Sequence, residues 1–93
     1  MAWKYRNPAS VETHAEIADA IEAAKASVQH VMDYSGHYSK NDVRRLHMTY
    51  DGLERLRVHM EMAMRDEYPF LPWHDIAATY HDLETQDAAS AER

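Results

Sequence analysis

VRRLHMTYDGLERLRVHMEMAM (residues 43–64) decides the fold. Val43, Leu46, Tyr50, Leu53, Leu56, Met60 and Met64 recur at spacings of three or four residues. At 100° per residue they fall within a sector of about 140°, the mark of an amphipathic helix. Arg57 lies inside that sector, with Glu54 and Glu61 one turn to either side. Such a trio reads as an ion-pair ladder, worth a few tenths of a kcal/mol per pair where solvent reaches it. Desolvated on the stripe, Arg57 would need both acids, so it is expected at the stripe edge, snorkelling outward. Met48, Gly52, His59 and Met62 form a weaker patch on the other side. A helix apolar on one side needs one neighbour, whereas this one asks for two.

Ser39-Lys40-Asn41-Asp42 precedes the stretch and reads as a helix cap with an acid at its third position, giving a helix from about Asp42 to Asp66. Upstream, Ile17, Ile21, Ala24, Val28 and Val31 recur at 4, 3, 4 and 3, a narrow seam on which His14 also falls. Two starts suit this first helix. Asn7 caps it with Pro8 at the first helical position, or Thr13 and Glu16 form a capping box. Its end is expected near Tyr34, where Ser35-Gly36 supplies a residue tolerant of the left-handed conformation.

Downstream, the prolines of Tyr68-Pro69-Phe70-Leu71-Pro72-Trp73 must break the second helix. The apolar side chains of that segment predict that it lies across the helix pair. His74 to about Thr85 reads as a short third helix with Ile76, Tyr80 and Leu83 on one face. The fold class is therefore all-α: an antiparallel hairpin of two long helices plus a short C-terminal helix. Residues 1–85 form one domain, with an arm over 1–12, and 86–93 read as a disordered tail. A thin seam and one short helix leave the Met48, His59 and Met62 face uncovered, which predicts a homo-oligomer.

Composition narrows the chemistry. The 93 residues carry ten Lys and Arg against sixteen Asp and Glu, a formal charge of −6, which argues against general nucleic-acid binding. With no cysteine there is neither a disulfide nor a thiolate zinc site. The chain lacks the apolar core of a signal peptide and any run near the roughly 18 apolar residues of a membrane span, so a cytoplasmic protein is expected. Seven histidines stand out, yet none is spaced as His-x-x-x-His, His-Glu-x-x-His or Glu-x-x-His, and no metal or other cofactor is expected. Without a nucleophile elbow, a Gly-rich phosphate loop or a cleft, an enzyme is not expected either.

The cations are better placed than their number suggests. Lys40, Arg44 and Arg45 open the second helix, where backbone amides already favour anions. Trp3, Lys4, Tyr5 and Arg6 interleave flat rings with positive charge, as a nucleotide requires. The same arm suits docking on a neighbouring subunit.

Tyr5-Arg6-Asn7-Pro8, the Ile17–Val31 seam and Arg45-Leu46-His47-Met48-Thr49 together resemble the small helical-hairpin proteins of phages that sequester cyclic oligonucleotide messengers of bacterial immunity, the sponges against CBASS and Thoeris. The resemblance covers residues 3 to about 65. It implies an anti-defence protein that is an oligomer of hairpins, with ligand pockets between subunits. Tyr5 would stack on a base, and Arg44 or Arg45 with Thr49 would lie near phosphate. Ligand-contacting residues are thus Trp3, Tyr5, Arg6, Arg44, Arg45 and Thr49, with Met48, His59 and Met62 between subunits. The alternative is an acidic protein-interaction inhibitor of a host defence protein, of the anti-CRISPR or nucleic-acid-mimic kind, presenting Asp19, Glu22, Asp51, Glu54 and Glu61.

Overall fold

A computed structural model describes residues 9–82. Three α-helices follow one another: α1 (Val11–Met32), α2 (Lys40–Glu67) and α3 (Trp73–Thr79), with a 3-10 turn at Ser35–His37 between the first two. No strand occurs among the described residues. The long helices, about 33 and 42 Å at 1.5 Å per residue, pack together as the hairpin.

The start of α1 falls at neither expected position. Ser10 is the N-cap, its hydroxyl accepting from the Thr13 amide at 3.1 Å and lying 2.9 Å from the Thr13 hydroxyl. Thr13 is thus the third helical residue and the partner of a cap. Val11 and Glu12 belong to α1 rather than to an arm. The other end also differs. α1 stops at Met32 with Asp33 as C-cap in the right-handed region, and Gly36 has a negative φ inside the 3-10 turn. The chain reverses through i→i+3 bonds, Tyr34 N–H to Val31 and His37 N–H to Tyr34, without a left-handed residue. Ser39 caps α2 as its sequence predicts, accepting from the Asp42 amide at 3.2 Å.

The core is concentrated at the end away from this turn. Ala18, Met64, Ile76 and Tyr80 form its centre, with Ile17, Met60, Tyr68 and Leu71 packed around them. α3 is shorter than expected, ending at Thr79 with Tyr80 as C-cap. The Asp82 amide donates to the Ala77 carbonyl at 2.8 Å and the His81 amide to Ala78 at 3.3 Å, which closes the helix in a Schellman pattern. His81 holds the left-handed position usual for glycine, with φ 57°.

The segment between α2 and α3 only half meets its expectation. Leu71 and Tyr68 pack on the core, and the Tyr68 hydroxyl donates to the Ala9 carbonyl at 2.5 Å. Phe70 and Trp73, by contrast, face water at 99% and 67% exposure. Two prolines leave this short link too few free dihedrals to turn every aromatic ring inward. Leu83, the tail over 86–93, and Trp3, Tyr5 and Arg6 of the arm lie outside the described residues.

Candidate functional site

Two sites emerge, one buried and one open. The buried one is built around His14, 1% exposed on the α1 seam. Its Nε2 lies 2.5 Å from a Glu67 carboxylate oxygen, and its Nδ1 lies 2.5 Å from the Tyr80 hydroxyl. A carboxylate only accepts, so Nε2–H donates to Glu67, and Nδ1 pairs with the Tyr80 hydroxyl. Tyr68 and Tyr80 meet the imidazole edge-on, at 6.2 and 5.7 Å between centroids. Burial, then the charges of Glu67 and Glu61, push the Tyr80 phenol up to about 12, so it stays a donor. His14 and Tyr80 are closed to water, at 1% and 0% exposure, while Glu67 keeps 15% of its side chain open. One imidazole thus ties α1 to the end of α2 and to α3.

Next along the hairpin comes an ionic belt. Lys25 of α1 bridges to Glu54 of α2 at 2.6 Å and approaches Glu22 at 3.6 Å. Arg57 meets Glu54 at 2.6 Å and Glu61 at 2.7 Å, and Arg65 meets Glu61 at 2.8 Å. The Arg57 side chain is 11% exposed, so it does not snorkel outward. It sits near the centre of the buried face of α2, between Leu53 and Met64, where both acids answer its charge. Bonding from Arg57 holds the Glu54 carboxyl below its usual range despite partial burial. Glu61 goes the other way. Burial, then a hydrogen bond with the Asp82 carboxyl and that group's charge, push it up to about 6 against the pull of Arg65 and Arg57.

This belt bears on the acidic-mimic alternative. Glu61 is 4% exposed, and Glu22 and Glu54 are engaged with Lys25 and Arg57, so three of the five acids are occupied inside the fold. Asp51 is exposed, while Asp19 is exposed and lies 3.2 Å from the His81 ring.

The open site lies at the turn end. Val31 of α1, Tyr38 of the connection, and Asp42, Arg45, Leu46 and Thr49 of α2 line a groove of about 400 Å³. Among the described residues no third element covers the hairpin there. Leu46 supplies an apolar base, Tyr38 a ring 45% exposed, and Arg45 and Thr49 stand one turn apart on α2. The Thr49 hydroxyl donates to the Arg45 carbonyl at 2.8 Å, which fixes its rotamer and leaves its lone pairs to accept. Asp42 adds a carboxylate opposite in sign to Arg45.

The sequence-predicted residues are thus divided. Arg45 and Thr49 come together in the groove. Arg44, 100° away around α2, points to the outer face with Met48, His59 and Met62. All four are exposed, Met48 and Met62 at 59% each, and His59 has a partner within the chain. Trp3, Tyr5 and Arg6 fall outside the described residues. Tyr38 escaped the sequence reading, and an aromatic beside a helix start bearing two arginines was the available signal. His14 left a signal too, since an imidazole on an apolar seam needs a partner. No group of three or more His, Asp or Glu that could hold a metal occurs among the described residues. None of the helices there is long and apolar enough to cross a membrane.

Comparison of the chain with protein-family models, with curated proteins and with solved structures gives no match.

Proposed function

We propose that this protein binds a small anionic nucleotide and sequesters it without turning it over, as an anti-defence protein of a phage would. The observation that carries the reading is the convergence of Tyr38, Arg45, Thr49 and Asp42 on one groove. Each wall answers one part of a nucleotide. The Tyr38 ring offers a stacking face for a base, worth about 1–3 kcal/mol. Arg45 offers a forked cation for a phosphate, and Asp42 and the Thr49 oxygen accept from ribose hydroxyls or base amines. The volume of about 400 Å³ suits a single nucleotide unit of a cyclic messenger. Sequestration fits better than turnover, because the Glu67–His14–Tyr80 chain lies at the opposite end of the hairpin from the groove. Ala9 stands at the opposite end of α1, about 30 Å from the groove, so in this reading Trp3, Tyr5 and Arg6 would reach the ligand only from a second copy of the chain.

Isothermal titration with a panel of cyclic di- and trinucleotides tests it. One member should bind with Kd below about 10 μM, roughly −7 kcal/mol. Chromatography should recover that ligand intact after incubation. Arg45→Ala and Tyr38→Ala should each weaken binding by about tenfold or more. A panel with no binder sinks the proposal, and so does a binder indifferent to both substitutions.

A further inference from the structure

The outer face of α2 carries a pattern that neither the core nor the groove uses. Arg44, Met48, Asp51, Arg55, His59, Met62 and Asp66 are all exposed. Around the helix they occupy a strip about 80° wide, and along it they span about 33 Å. Their spacings are 4, 3, 4, 4, 3 and 4, the same read from either end, with Arg55 at the middle. Chemistry follows the same symmetry. The basic Arg44 is mirrored by the acidic Asp66, Met48 is mirrored by Met62, and Asp51 by His59. Leu56 and Val58 flank the strip at 44% and 42% exposure, and Gly52 beside it has open space where a Cβ would stand.

We infer that α2 pairs antiparallel with α2 of a second copy of this chain, about a two-fold axis passing through Arg55. An antiparallel pair sets residue 55 + k of one helix level with 55 − k of the other. The register therefore places Arg44 against Asp66 of the second copy, and Met48 against Met62, at both ends of the interface. Two methionine layers provide the apolar contact, and their flexible thioethers fit each other without demanding one shape. The two Arg55 side chains meet at the axis, each one turn from Asp51 of its own helix and close to that of the other, so the centre is neutral. A register shifted by one helical turn would set Arg44 level with Met62 or Phe70 of the second copy and unpair both methionine layers, which favours this alignment over its neighbours. The interface is isologous, as a two-fold requires. Arg45 and Thr49 lie outside the strip, so the pairing does not depend on the ligand groove and is tested separately from it.

The test is charge reversal read by sedimentation velocity at roughly 10 μM to 1 mM, where mass action separates a weak pair from a monomer. The native chain of 10.8 kDa should shift to twice that mass with rising concentration. Arg44→Asp should raise the dissociation constant by about tenfold or more, since it sets two carboxylates face to face at each end. Arg44→Asp combined with Asp66→Arg should restore it. Within one chain those positions are about 33 Å apart, too far for any internal pair to explain the rescue. Because the chain has no cysteine, Met48→Cys with Met62→Cys should form a covalently linked pair on mild oxidation. Circular dichroism should report unchanged helix in every variant, as the altered residues are exposed. A native chain that stays monomeric throughout overturns the inference. So does a pair insensitive to Arg44→Asp, or one that the double reversal does not rescue.

Discussion

At one end of the hairpin Ala18, Ile21, Met64, Ile76 and Tyr80 are shut away from water, while at the other Val31, Leu46 and Tyr50 stay half covered or exposed. The same two helices run through both ends, with comparable apolar stripes. What differs is a third element. α3 closes the first end and brings Tyr80 within reach of His14; nothing among the described residues caps the second, and a groove remains there. Two helices in contact bury only the strip between them, so each stripe residue keeps one side in water until a further element covers it. Between the two ends the Lys25–Glu54–Arg57–Glu61 belt replaces apolar packing with charge, at the point where cover by α3 gives out.

Substitutions that break this contrast should rank by depth. Tyr80→Ala should cost roughly 3–5 kcal/mol in urea denaturation, removing both a fully buried ring and the hydroxyl on His14. That approaches the whole stability of a small domain, so α3 should detach and the two ends should come to resemble each other. His14→Leu should cost about 1–3 kcal/mol, because Glu67 and the Tyr80 hydroxyl each lose a partner while volume is kept. Near neutral pH, loss of the amide protection that separates residues 14–21 from residues 28–31 in hydrogen exchange would show the same event locally.

The belt predicts a pH dependence. Glu61 has a folded value of about 6, above its ordinary 4.5, so the fold favours its protonated form. Its contribution is complete below about pH 4.5 and is lost as pH rises through 6, an effect on the order of 1–2 kcal/mol. Thermal melts across pH 4.5–7 should show that step in the native chain and lack it in Glu61→Gln. Glu54 runs the opposite way: its depressed value gives stability above the ordinary carboxylate range that falls away as pH drops below it. At the open end the effects should be smallest. Leu46→Ala is expected to cost about 1 kcal/mol, since the side chain is only half covered, and Tyr38→Ala less than about 0.5 kcal/mol. A large loss from Tyr38→Ala would show that the turn end is packed after all and would erase the contrast.

Local rules were readable wherever one residue type settles the matter. The α2 stripe, the Ser39 cap and the two prolines after Tyr68 marked both ends of α2 and the start of α3 to within a residue or two. The start of α1 was missed because Ser10, Asn7 and Thr13 all offer side-chain oxygens within six residues, and which one caps depends on where Tyr68 anchors Ala9. Arg57 was misplaced for a related reason. Its position on the stripe was visible, but whether an arginine there escapes to water depends on how tightly α1 and α3 close around Glu61.

By itself, then, the chain's pattern of apolar residues, caps and prolines determined that it forms three helices and which faces of them prefer burial, because periodicity and capping act within one or two turns. Only the tertiary structure decided that His14 joins Glu67 and Tyr80, residues 53 and 66 positions away. It likewise left Arg45 and Thr49 beside Tyr38 in an open groove. Such contacts depend on where the short α3 docks along the hairpin, and that docking is set by the fit of Ile76 and Tyr80 into one end rather than by any local signal.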